Sequence, residues 1–326
     1  MIDKYGRELT YLRVSLIDRC NLRCFYCMPH GALNPFKEDE ILNEDEIVTI
    51  VSIFAELGIW KVRLTGGEPL LRKDAVNLVS RVKKIAGIRE VVMTTNGVLL
   101  KHFASDLKKA GLDRINISLD TLDRENFKRI TGADKWQDVL DGIQEAVDQK
   151  ITPIKINAVL MKGVNDHEIM DLVDFSVKKR LDLRFIEWMP TANEILEVRA
   201  GRFMSADIAK KLIEGKYNLI PDDENPHAPA RTFHLEGTQT KAGFISPLSN
   251  VFCAKCNRLR LKANGMMKTC LHGKEDLNLK KLLRQGDSRN EIKKHILETV
   301  FNRPEEHFLN SPEVPHNDFV MTAVGG

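Results

Sequence analysis

The chain has 326 residues, of which 43% are hydrophobic and 29% charged, with a formal net charge of +3. That length holds one large domain with an appendage or two ordinary domains, and the composition is that of a globular protein. The small net charge speaks against a nucleic-acid or membrane surface as partner, so any functional positive charge must be local. The opening residues lack the apolar core of a secretory signal and no stretch has the length of a membrane span, so a cytoplasmic protein is expected.

Strand-like runs cover residues 12–17, 61–65, 90–95, 114–119, 154–160 and 183–187, and each is followed by a helical pattern. The first helix is the best marked. Asn43 is its N-cap, Glu46 completes a capping box, residues 47–57 are apolar on a helical period and Gly58 stops it. Gly87 and Gly111 close the next two helices, and further helices are expected near 136–149 and 166–180. Alternating strands and helices predict a parallel sheet with right-handed crossovers. Six units in this length suggest an incomplete version of the eight-fold barrel, with a doubly wound sheet as the alternative that periodicity leaves open. After residue 190 the pattern breaks. Short helical stretches, a loop carrying Pro221, Pro226 and Pro229, and extended runs at 232–235, 243–246 and 259–262 follow. Helices are expected at about 275–285 and 289–301, then an extended tail with Pro304, Pro312 and Pro315.

The six cysteines form two sets, Cys20, Cys24 and Cys27, then Cys253, Cys256 and Cys270. A long chain without an export signal argues for metal or cluster ligation over three disulfides. The CxxxCxxC triplet follows the first strand directly. A fully ligated 4Fe–4S cluster takes four cysteines, so a local set of three leaves one iron open, the mark of a catalytic centre. The second set alone also fits structural zinc, with His272 as a fourth ligand. Arg258 and Arg260, on one strand face beside Cys256, favour instead a site that grips an anion next to a cluster.

Chemistry in a parallel βα array gathers at the C-terminal strand ends. The cysteine loop, Gly66-Gly67-Glu68-Pro69, Thr94-Thr95-Asn96-Gly97, Ser118-Leu119-Asp120 and Glu187-Trp188-Met189-Pro190 all sit there, and the fifth strand carries Lys155 and Asn157. The glycines permit close backbone approach to a ligand, and Glu68 offers a carboxylate to an amine. Arg13 and Ser15 share a strand face, as do Lys61 and Arg63, and Lys155 and Asn157. Cations crowded inside a barrel are costly unless an anion meets them, and a phosphate chain is the natural candidate. The terminal Gly325-Gly326 is slender enough to enter such a cavity.

These motifs, above all the stretch from Asp18 through Cys27 to Pro29, the segment from Leu64 to Leu70, Cys256-Asn257-Arg258-Leu259-Arg260 and the terminal glycines, resemble the radical S-adenosylmethionine (SAM) superfamily, and within it the GTP 3′,8-cyclase (molybdenum cofactor biosynthesis protein A) family. The resemblance runs from about residue 5 to 326. It implies an α/β fold, an incomplete (β/α)6 TIM-type barrel over residues 1–230, with an α+β region over 231–326 covering the open side. It implies a lyase that cyclises GTP in the first step of molybdenum cofactor biosynthesis. Its cofactors would be SAM and two 4Fe–4S clusters, on Cys20, Cys24 and Cys27 and on Cys253, Cys256 and Cys270. SAM would contact Tyr26, Gly67, Ser118 and Met189. GTP would contact Arg13, Lys61, Arg63, Thr94, Lys155, Arg184, Arg258 and Arg260, with the first three cysteines and the last two arginines as the catalytic set. Arg184 has the opposite strand parity to Glu187 and Met189, which strains a single geometry. The expected partners are an electron donor and cyclic pyranopterin monophosphate synthase downstream, the assembly being a monomer or homodimer. The departures are Thr322, where the family commonly has Ser, and a variable stretch after Pro29. Two alternatives are another radical SAM enzyme with an auxiliary cluster, acting on a peptide, and a non-catalytic zinc protein that binds nucleic acid.

Overall fold

The computed structural model describes residues 1–28, 35–189, 201–222, 227–307 and 321–325. Pro29, Pro190, Pro226, Pro312, Pro315 and Gly326 lie outside the described residues. The six expected units are all present. Strands β1 (Tyr11–Ser15), β2 (Lys61–Thr65), β3 (Glu90–Thr95), β4 (Arg114–Ser118), β5 (Ile154–Leu160) and β6 (Asp182–Glu187) pair in parallel in sequence order. Between them run α1 (Glu44–Glu56), α2 (Ala75–Lys83), α3 (Leu100–Lys109), α4 (Arg124–Thr131), α5 (Trp136–Asp148) and α6 (Ile169–Lys179).

Local chemistry explains the boundaries. Asn43 accepts from the Glu46 amide while Glu46 returns a bond to Asn43, so both ends of the capping box close at α1. Helix α4 was not expected. Its eight residues are mostly polar, with only Phe127 and Ile130 as buried apolar side chains, and it rests on the Asp123 cap and on left-handed Gly132. α2 ends at Lys83, four residues before Gly87, which turns the following loop instead.

Alternate strand residues divide the faces. Leu12, Val14, Val62, Leu64, Val91, Met93, Ile115, Ile117, Ile156 and Phe185 point outward and are fully buried under the helices. The opposite set, with Arg13, Arg63, Asn116, Lys155 and Arg184, faces the inside of the curve.

The region after residue 190 does more than cover an open side. α7 (Ala206–Glu214) precedes β7 (Leu219–Asp222), β8 (Ala230–Leu235), β9 (Lys241–Ile245), β10 (Arg258–Leu261), β11 (Met266–Lys268) and β12 (Leu277–Asn278). β9 adds in parallel to β6, and β10 adds in parallel to β1. The sheet order is β12-β11-β10-β1-β2-β3-β4-β5-β6-β9-β8-β7, so the barrel is extended at both edges by C-terminal strands yet stays unclosed. Helices α8 (Leu279–Gln285) and α9 (Arg289–Phe301) pack against α1. Residues 321–324 form the helical turn α10 (Met321–Val324), where an extended tail was expected.

Candidate active site

The concave face of the sheet encloses a cavity of about 720 Å³. Both cysteine sets line it, as do Arg13, Lys61, Arg63, Thr94, Lys155, Arg184, Arg258 and Arg260, and Tyr26, Gly67, Ser118 and Met189. Every residue expected to hold a cluster or to contact SAM or GTP therefore lines one chamber. The register explains the cations: Arg260, Arg13 and Arg63 stand side by side across three parallel strands, with Arg258, Tyr11 and Lys61 in the next row. The parity conflict at Arg184 dissolves because β6 ends at Glu187. Arg184 faces inward within the strand, Met189 reaches the chamber beyond its end, and Glu187 accepts from the amides of Ala206, Leu248 and Ser249.

Burial dominates the electrostatics. It lowers Arg13 and Arg184 to about 10 and Lys155 to about 8, with neighbouring guanidiniums adding to the fall. Acidic partners offset part of the cost. Lys61 and Arg114 share Glu90 at 2.8 and 2.6 Å, and Lys155 meets Asp182 at 2.7 Å. The tail supplies carbonyls as well: Arg260 donates to Gly325 O at 2.7 Å and Arg13 to the same atom at 3.4 Å.

The cysteines are all free thiols. In the first set burial pushes Cys20 and Cys24 up and Cys27 up to about 12, with thiol neighbours adding to the rise at Cys24 and Cys27 and the Glu68 carboxylate at Cys20. Such thiols ionise only around a positive centre, which is what iron supplies. In the second set burial would raise Cys256, but the Arg258 and Arg303 guanidiniums outweigh it and bring the thiol to about 6. Among the described residues, no three His, Cys, Asp or Glu side chains are grouped as they would be round a single metal ion. Three soft thiol donors on each side of a cationic chamber are a donor set suited to clusters.

Family models match the chain in two stretches, the radical SAM superfamily over residues 14–176 and Molybdenum Cofactor Synthesis C over residues 181–309. A protein of Thermodesulfovibrio yellowstonii named GTP 3′,8-cyclase is 46% identical over 94% of this chain and 95% of its own. One of the same name from Syntrophomonas wolfei is 42% identical over the full length of both. The chain belongs to the GTP 3′,8-cyclase family of radical SAM proteins. Its fold is also similar to that of Streptococcus suis SuiB in a crystal structure with S-adenosylmethionine, with a TM-score of 0.61 at 14% identity, covering 88% of this chain and 68% of that one.

Within this GTP 3′,8-cyclase family member, one sequence expectation needs correction. Glu68 offers nothing to a ligand amine: it is fully buried and accepts from Leu70 N, Thr95 Oγ1 and Asn96 N, which ties the Gly-Gly turn to the end of β3. The glycines of that turn line the chamber and also press against protein backbone. Gly67 N donates to Ile17 O at 2.6 Å, and Glu68 N to Arg19 O at 2.8 Å. A Cβ on Gly67 would lie 2.1 Å from Arg19 O, and one on Gly66 2.5 Å from Ile17 O. Gly67→Ala is therefore expected to push the turn off the segment leading into the cysteine loop. Iron retained by the first cysteine set should fall several-fold, as read by iron analysis of a variant with the second set removed. Unchanged retention would show that the turn plays no part in placing that loop.

Two chamber residues, Tyr11 and Arg114, escaped the sequence reading, and a third, Asn96, was read only as part of a strand-end motif. Tyr11 accepts a bond from Arg63 Nε; burial would raise its phenol, but Arg63, Arg13 and Lys61 bring it down to about 7. Arg114 lines the chamber from the first position of β4, on the same face as Ser118. Asn96 donates to Asn21 Oδ1 at 2.7 Å and lies 3.6 Å from Cys20 Sγ. Strand parity could have found Tyr11 and Arg114, which lie two before Arg13 and four before Ser118.

Proposed function

We propose that this chain converts GTP into (8S)-3′,8-cyclo-7,8-dihydroguanosine 5′-triphosphate, the first step of molybdenum cofactor biosynthesis. The observation that carries the reading is the convergence of two three-cysteine sets and at least eight cationic side chains on one chamber. A peptide-modifying enzyme has no use for that many buried cations.

In this reading Cys20, Cys24 and Cys27 hold one 4Fe–4S cluster, and Cys253, Cys256 and Cys270 hold a second. When bound, the first cluster and SAM would supply a radical able to take the hydrogen from C3′ of the GTP ribose, so that this carbon can close onto C8 of guanine, with a further electron from an external donor and a proton completing the 7,8-dihydro product. Tyr26, Gly67, Ser118 and Met189 position SAM. Tyr26 is held for this by its hydroxyl, which donates to Asp120 Oδ2 at 2.7 Å. Arg13, Lys61, Arg63, Thr94, Lys155, Arg184, Arg258 and Arg260 grip the triphosphate and fix the ribose. Arg63 is aimed by its bonds to Tyr11 and to Thr94 Oγ1, the latter at 2.7 Å. Side chains locked in this way place reacting atoms without further ordering at the moment of reaction. Electrons come from an external donor. The product passes to cyclic pyranopterin monophosphate synthase, and the enzyme acts in the cytoplasm as a monomer or homodimer.

Protein purified without oxygen should be brown and contain iron and inorganic sulfide. With GTP, SAM and a low-potential reductant it should form 5′-deoxyadenosine and the cyclised nucleotide in step, as measured by mass spectrometry. A colourless, sulfide-free preparation would refute the reading, as would SAM cleavage that GTP neither stimulates nor accompanies with a nucleotide product.

A further inference from the structure

Behind the second cysteine set lies a buried group of charges outside the machinery described above. Asp3, Arg7 and Arg303 are all at least nine-tenths buried, in a small cluster carrying two guanidiniums and one carboxylate. Asp3 accepts from Arg7 Nε at 2.6 Å and from the amides of Tyr5 and Arg7, and its Oδ2 lies 3.7 Å from Arg303 Nε. The remaining guanidinium donors reach main-chain carbonyls. Arg7 donates to Cys253 O at 3.1 Å, to Glu305 O at 2.5 Å and to Pro304 O at 2.7 Å. Arg303 donates to Cys256 O at 3.2 Å. The carbonyl groups of both cysteines in the CxxC turn are thus held from behind, while the two residues line the chamber. The residue between the turn and β10 is fixed from the same side: Asn257 O accepts from the amides of Thr10 and Tyr11, and its side chain donates to Thr10 Oγ1 at 2.9 Å.

We infer that Asp3, Arg7 and Arg303 form a clamp that positions the Cys253–Cys256 turn for its cluster and sets the charge behind it. The inference rests on the reading that this set carries a cluster. Burying two guanidiniums against one carboxylate is costly, and main-chain carbonyls compensate it only in part. An anionic centre bound by three thiolates completes the compensation. Partners that fix metal ligands from the second layer influence both occupancy and potential. The clamp also joins residues 3–7 to residues 303–305 at this turn.

The test uses the full chain, reconstituted without oxygen, as wild type and as Arg303→Gln, Arg303→Lys and Arg7→Gln. Iron, sulfide, thermal melting and the paramagnetic resonance spectrum of the reduced protein are measured. The glutamine variants should retain roughly half of the wild-type iron, the share of one cluster of two. Whatever second-cluster signal remains should appear at lower potential, since a nearby cation favours the reduced state. The first-cluster signal and its response to SAM should persist, and Arg303→Lys should recover part of the lost iron. Wild-type iron content at unchanged potential in both glutamine variants would overturn the inference. So would an equal loss from both clusters with a lowered melting temperature, which marks a role in the fold alone. Wild-type protein holding only one cluster would instead overturn the reading beneath it.

Discussion

Cys24→Ala is expected to abolish reductive SAM cleavage, with 5′-deoxyadenosine falling below detection, while GTP binding to the chamber survives. The thiols of Cys20, Cys24 and Cys27 come from one loop, and that loop is tied down on both sides. Its N-terminal approach is bonded to the Gly-Gly turn through Ile17 O and Arg19 O, and Cys27 O accepts from Met321 N of the tail at 3.3 Å. With three ligands the set can hold a cluster and leave one iron for SAM; with two it cannot retain the cluster against loss to solvent. The same change should hardly affect the apoprotein. Cys24 is partly buried at the edge of the core, and trimming its sulfur there costs on the order of 1 kcal/mol. A melting temperature within a few degrees of wild type is therefore expected. Loss of activity with an intact fold separates cluster ligation from structural damage. SAM cleavage at a tenth of the wild-type rate or more would remove Cys24 from the ligand set.

How much of this could be read from the chain depends on which interactions are local. The strands were legible because one set of alternate positions is apolar and the other is not, and the alternation put Arg13 with Ser15, Lys61 with Arg63 and Lys155 with Asn157 on shared faces, although which way those faces point is decided by the fold. The cysteine loop was legible because its donors lie within eight residues. What failed was long-range. Nothing local shows that β9 and β10 leave the C-terminal region to pair with β6 and β1, and that pairing is what puts Arg260 beside Arg13. A second demand on Gly66 and Gly67, their packing against protein backbone, was hidden for the same reason. A glycine permits close approach, but what approaches it, here Ile17 O and Arg19 O, is decided by the fold. Glu68 looked like a free carboxylate because its three donors come from a neighbouring turn and the end of another strand. Tyr11 was passed over because an aromatic residue at a strand start reads as core, although its hydroxyl lies among three cations.

Arg258→Ala and Arg260→Ala are expected to cripple GTP turnover while uncoupled SAM cleavage continues. Both residues are carried on β10, which the register sets against β1, so each guanidinium projects into the chamber beside the second cysteine set. Removing one partner of a buried charge pair costs about 2–5 kcal/mol, which corresponds to GTP binding weaker by about 30-fold to a few thousand-fold. For Arg260→Ala, stability should move the other way, or not at all. Burial, then Arg13 and Arg258, hold Arg260 well below the usual arginine range. The sign follows: a cation whose folded value is depressed destabilises the fold while charged, so its removal relieves the apoprotein. The lost bonds from Arg260 to Val324 O and Gly325 O offset part of that gain. Arg260→Ala should accordingly melt at or above the wild-type temperature while failing to turn over GTP, the pattern of a residue that strains its fold to serve a ligand. Calorimetry with GTP and thermal melting without it measure the two halves separately. Wild-type GTP affinity in both variants would leave the polyphosphate reading without support, and a lowered melting temperature for Arg260→Ala would show that the tail bonds outweigh the crowded charge.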